Sequence, residues 1–207
     1  MVWLIAIFLN SPASAQMLSM TVGRVGDHIL TSREVNMDAV MEKVLYEGVK
    51  PGSVRLDPVD SKQFFNEVNE AILERSLALE AKSFDVVRVN DKEWHDLEAK
   101  FAKLLGSISP WKSMDPDLSE WKSLLERKLK AKMFIKFRKD SSELPVTDTE
   151  AKRYYEENHS KFGNQPFENV KDNIKSFLAR SQVDRRLKDW YEVIKAKYNA
   201  KNFLAEL

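Results

Sequence analysis

Apolar residues return every three or four positions along most of this 207-residue chain, and polar capping residues repeatedly break the pattern. That periodicity is the signature of amphipathic helices, and it leaves little room for a large sheet. Met37, Val40, Met41, Val44 and Leu45 make one such stripe. It is opened by Thr31-Ser32-Arg33-Glu34, a capping box, and closed by Gly48 and Pro51. A second helix is predicted over about 61–82, with Asp60 and Gln63 as its capping pair. Its apolar residues, from Phe64 and Val68 to Leu77, spread around the cylinder, which predicts a central position. A third starts at Asn90, carries Trp94, Leu97, Phe101 and Leu104 and ends at Gly106. A loop with Pro110 and Pro116 separates it from a fourth over about 117–138. Thr147-Asp148-Thr149-Glu150 caps a short fifth helix, which Gly163 to Pro166 interrupts. The last is long, about 167–198, with its weakest apolar stripe between Ser181 and Arg186, where a bend or an exposed segment is expected.

Only two early runs depart from this period. Met20 to Val25 and His28 to Leu30 flank Gly26-Asp27, a dipeptide suited to a tight hairpin turn. Residues 201–207 are predicted as a short final strand. With six glycines in the whole chain, architectures built on many tight turns or glycine-rich phosphate loops are disfavoured. The expected fold is therefore mainly α, with a short N-terminal β-hairpin and a long C-terminal helix packing back on the N-terminal segment.

Residues 1–15 stand apart. The apolar run from Val2 to Leu9 is too short to cross a bilayer, and Ala13-Ser14-Ala15 follows it. No Lys or Arg precedes the run, so either the true start lies upstream or the run is no signal, a buried N-terminal strand being the competing reading. The small-x-small site favours a signal peptide cleaved before Gln16, leaving 16–207 as a single exported domain. The absence of cysteine fits an oxidising compartment.

Little in the chain suggests catalysis. His28, His95 and His159 lie at no metal-binding spacing, and no nucleophile elbow, Walker loop or dinucleotide fingerprint is present. The acidic residues are expected on polar helix faces, Glu156-Glu157 among them. Lys128-Leu129-Lys130-Ala131-Lys132 is expected as a solvated face. With 33 basic and 32 acidic residues the chain lacks the net basic character of a nucleic-acid binder, although a local basic patch stays compatible with it. Neither a cofactor nor a metal is expected. Aromatic and Met side chains are the more suggestive feature, because both repack around varied partners. Trp111 and Met114 in the predicted loop, and Trp121, Met133, Phe134 and Phe137 on the Lys-rich fourth helix, are either core or the lining of a client-binding surface.

The order of these parts carries more than any one of them. A hairpin VGRVGDHILTSREV (22–35) is followed by three helices, then by LPVTDTEAKRYYEENHSKF (144–162), then by PFENVKDNIKSFLARSQVDRRLKDW (166–190). This arrangement resembles the chaperone part of SurA-like, parvulin-type peptidyl-prolyl isomerase proteins. In that family the isomerase domain usually sits between the last two segments; here Gly163-Asn164-Gln165 alone separates them. The resemblance implies a periplasmic holdase for unfolded outer-membrane or secreted proteins, without isomerase activity, and no catalytic residue to carry over. With the charge balance near zero and the apolar run short, neither a nucleic-acid partner nor stable membrane insertion is expected; a homodimer stays open. The alternatives are a degenerate prolyl isomerase and a dedicated envelope adaptor. Client binding by such a chain is expected to rest on apolar contacts more than on charge.

Overall fold

The computed structural model describes residues 19–84, 89–141 and 145–206; the predicted leader, 1–15, lies outside them. Strands β1 (Thr21–Val25) and β2 (His28–Thr31) form the expected hairpin, with Gly26 at φ +58° in its turn. They pair antiparallel, with Arg24 opposite Ile29 and Val25 opposite His28. Among the described residues seven α-helices follow: α1 (Ser32–Leu45), α2 (Lys62–Phe84), α3 (Asp91–Leu105), α4 (Ser109–Met114), α5 (Leu118–Asp140), α6 (Asp148–Glu157) and α7 (Phe167–Lys197). After α7, Asn199 takes a left-handed φ of +45° and the chain returns as β3 (Lys201–Asn202). β3 pairs antiparallel with the free side of β1, giving the order β2-β1-β3. The predicted final strand is thus two residues long and gives way to a 3-10 turn over Phe203–Glu206.

Most helix starts are capped as the residue types demand. Thr31 Oγ1 accepts the Glu34 N–H, Asn90 caps α3, Asp117 caps α5, and Thr147 with Glu150 forms a reciprocal capping box on α6. Two expectations are corrected. The α2 cap is Ser61, whose Oγ accepts the Phe64 N–H at 3.0 Å, and not Asp60. The segment around Trp111 and Met114 is not a loop but the helix α4. Proline at the first turn is compatible with a helix because the lost N–H has no intrahelical partner there. The turn puts Trp111 and Met114 three residues apart on one face.

That face closes the first core cluster, which joins Met37, Met41 and Val44 of α1 to Phe101 of α3, Trp111 and Met114 of α4, and Trp121 and Leu125 of α5. Phe101 is its centre. It meets Trp111 edge-to-face at 4.9 Å and Trp121 at 5.7 Å, separations at which aromatic pairs attract. Arg33 holds the end of α4, donating to the Met114 carbonyl through Nε and Nη2 and pairing with Glu120. A second cluster packs Val22, Val25 and Leu30 of the hairpin on Phe64, Val68 and Ile72 of α2. Gly23 allows this approach: a Cβ there would lie 2.9 Å from the Lys201 carbonyl oxygen and 3.1 Å from Ile72.

The C-terminal helix does pack back on the N-terminal segment. Ile194 joins Leu77, Ala81 and Phe134 in a third cluster, Lys197 and the Tyr198 hydroxyl both donate to Glu80 at 2.6 Å, and Gly26 N–H donates to the Tyr198 carbonyl at 2.7 Å. The first half of α7 instead pairs with α6 around Ala151, Val170 and Ile174. α7 is one continuous helix, and Asp184 to Arg186 are exposed on it, as the weak stripe suggested. A 3-10 turn over His159–Lys161 and the residues Gly163 to Gln165 join α6 to α7.

Candidate functional site

An apolar concavity with a charged rim lies between α3 and α5, a groove of about 630 Å³. Its floor is Leu97 from α3, Leu129 and Met133 from α5, and Tyr46, the residue that ends α1. Phe101, fully buried one turn beyond Leu97, anchors α3 in the first core cluster and so holds the wall in place. Along α5, Leu129, Met133 and Phe137 follow one another at i, i+4 and i+8, a single row on the helix surface. The row emerges as it goes: Leu129 is buried, Met133 half-buried, and Phe137 43% exposed. Phe137 stacks on Phe134 at 6.2 Å, and Phe84, 57% exposed, lies 6.1 Å from the same ring. An apolar surface therefore continues from the groove floor to the far end of α5.

The rim is charged. α5 contributes Lys132 and Lys136; α3 contributes Lys92 and Lys100 together with Glu93 and Asp96. Lys132 sits 3.9 Å above the Tyr46 ring and pairs with Glu42 at 2.8 Å. Burial pushes the Tyr46 phenol up to about 12, so it stays a neutral donor near neutral pH.

Of the six residues expected at a client surface, the structure leaves two there: Met133 in the groove and Phe137 beyond it. Trp111, Met114, Trp121 and Phe134 are at most 5% exposed and belong to the core. Leu97 and Leu129 each continue an apolar helical stripe that reads equally well as core, and Tyr46, just past the end of α1, carries no pattern of its own.

A second constellation is buried behind the groove, where α1, α2 and α5 meet. Lys128, expected on a solvated face, is instead 2% exposed. Its Nζ lies 2.6 Å from Glu74, 3.0 Å from Glu42 and 3.2 Å from Asp38. Arg127 pairs with Glu34 at 2.6 Å and with Glu74 at 3.2 Å, and Arg75 also reaches Glu34, at 2.7 Å. The correction has a simple cause: the acidic edges of α1 and α2 and the basic edge of α5 face each other across the helix interface. Burial works to raise the Glu34 carboxyl, but the Arg127 and Arg75 charges outweigh it and hold the group at about 2. Glu74 is pushed up, by burial first and by Asp38 second. Burial would depress Lys128, yet Asp38, Glu74 and Glu42 together raise it. Every charge here is met by an opposite one, an arrangement that ties three helices together.

The histidines stand apart from one another. His28 Nε2 is 2.8 Å from Glu34, His95 is exposed beside Glu98, and His159 meets the Tyr155 ring edge-on. Among the described residues no group of His, Asp and Glu is arranged to hold a metal, and no helix is long and apolar enough to cross a membrane.

Nearby, Lys43 Nζ lies 2.8 Å from both Asp57 and Glu67. Glu67 is 5% exposed, and its carboxyl is raised to about 7, by burial first, with Lys43 opposing and Asp57 adding to the rise. Because the native state holds this proton more tightly than the unfolded chain, the stability it contributes is present below about pH 4.5 and is lost as the pH rises through about 7. Relative to the parent, Glu67→Gln should gain stability between pH 5 and 8, on the order of 2 kcal/mol. Urea denaturation at several pH values measures this; a parallel pH dependence in both proteins would contradict it.

Comparison with protein-family models, with curated proteins and with solved structures finds no match.

Proposed function

We propose that this chain is an exported holdase, a periplasmic chaperone that binds unfolded outer-membrane or secreted proteins without catalysing prolyl isomerisation. The observation that carries the reading is the α3–α5 groove, an open apolar floor with a Met at its centre and a charged rim. A floor of Leu, Met and Tyr side chains accepts many apolar side chains without demanding one shape. Holding an unfolded client in such a groove lowers its free concentration, and with it aggregation, by mass action alone, so neither an energy source nor a reacting group is required. The resemblance of residues 144–162 and 166–190 to the chaperone segments of SurA-like proteins supports the same reading, and the short α6–α7 turn is where that family would carry its catalytic domain. Export rests on the leader, and the N-terminus recovered from the cell envelope is expected at or near Gln16.

The test is aggregation of a denatured outer-membrane protein on dilution. Stoichiometric amounts of the mature chain should suppress light scattering, and Met133→Asp should weaken suppression with little change in melting temperature. In parallel, a refolding reaction limited by proline isomerisation, a step of tens of seconds, should proceed at its uncatalysed rate in the presence of substoichiometric protein. Acceleration would favour the isomerase alternative. Failure to suppress aggregation, with recovery of one dedicated partner from envelope extract, would favour an adaptor.

A further inference from the structure

The two walls of the groove differ in charge. The α5 wall presents Lys132 and Lys136 and no acid, while the α3 wall mixes Lys92 and Lys100 with Glu93 and Asp96. The rim thus carries four cations against two carboxylates in a chain whose formal net charge is +1, a local excess that the overall balance conceals. Two of the cations are already engaged: Lys132 by Glu42 and the Tyr46 ring, and Lys100 by the Leu45 carbonyl at 3.3 Å. Lys92 and Lys136 are exposed and have no ion-pair partner among the described residues. An occupant of the floor therefore passes beside two lysines that have no ion-pair partner among the described residues.

Resting on the holdase reading, we infer that the groove selects extended polypeptide segments in which apolar side chains are flanked by acidic ones. The apolar side chains lie on Leu97, Leu129 and Met133, and the flanking carboxylates meet Lys136 on one wall and Lys92 on the other. Burial on the floor supplies most of the affinity, and the lysines supply the preference among clients, because exposed ion pairs discriminate more than they bind. A segment flanked by Lys or Arg would bring like charge against Lys136 and is disfavoured.

The experiment uses the mature chain and three fluorescein-labelled peptides that share one apolar core and differ only in Glu, Ser or Lys flanks. Fluorescence anisotropy should rank them Glu, Ser, Lys, with about three- to tenfold between the extremes at low salt. The ranking should collapse at ~1 M salt, where the Debye length is about 3 Å, while binding itself persists. Lys92→Glu/Lys136→Glu, two exposed positions whose exchange should leave the melt unchanged, should reverse the order. Equal binding of all three peptides overturns the selectivity and leaves the holdase reading standing. A preference that survives the double exchange places the selective site elsewhere and overturns the assignment to this groove. If no peptide binds, and the aggregation assay is also negative, the holdase reading itself fails.

Discussion

Lys128→Met should destabilise the fold by about 3–5 kcal/mol, the range seen when one partner of a buried ion pair is removed. Methionine fills much of the same volume, so the loss is electrostatic: Asp38 and Glu74 keep Arg127, but the ammonium within 3.2 Å of three carboxylates is gone. The effect should depend on pH. With the lysine removed, the native-state carboxylates bind protons more readily, so the penalty should be smaller at pH 5 than at pH 8. Adding Glu74→Gln should recover part of the loss, because Glu74 is the carboxylate that burial already drives toward its neutral form. Urea denaturation of the three proteins at the two pH values measures all of this. A single exchange that costs less than about 1 kcal/mol would mean that Lys128 reaches water in solution and behaves as a surface pair.

Trp111→Ser should have an effect of similar size for a different reason. The indole packs edge-to-face on Phe101 in the cluster that joins α1, α3, α4 and α5, and it is 4% exposed. Truncating a buried Trp typically costs about 3–5 kcal/mol, and the serine hydroxyl would be buried as well. In a domain of this size that corresponds to a fall in melting temperature of roughly 10 °C or more. Met133→Ser, by comparison, should move the melt by only a few degrees and act on client binding. If Trp111→Ser left the melt unchanged while abolishing client binding, the aromatic residues of α4 would have to be reassigned from the core to a binding surface.

The two substitutions mark where reading the sequence stops. Helix positions were legible because their causes are local. Thr31, Asn90 and Thr147 cap helices with their own side chains, Gly26 supplies the turn conformation β1 and β2 need, and Asn199 ends α7 by taking a left-handed φ. Even α4 was missed only because two prolines in a short segment suggested a loop, although one of them sits where a helix tolerates it. The candidate site was legible only in part. Met133 and Phe137 drew notice as an aromatic and Met pattern on a Lys-rich helix, but the same pattern drew equal notice to Trp121 and Phe134, which are core. A periodic stripe says that a face is apolar and is silent on what covers it.

The same ambiguity governs charge. Glu34, Asp38 and Glu42 recur every four residues on α1, and Arg127, Lys128 and Lys132 cluster on α5, a spacing that by itself describes solvated helix edges. The sequence by itself determined the helices, their caps, the hairpin turn and the apolar stripes, because each depends on residues within a few positions of one another. Only the tertiary structure decided that α1, α2 and α5 turn their charged edges inward, so that Lys128 is buried among carboxylates, and that α3 leaves Leu97 and Met133 only partly covered beside it. Those outcomes depend on how helices far apart in the chain are set against each other, and burial, which turns a surface charge into a structural one and a core stripe into a groove floor, is a property of that arrangement alone.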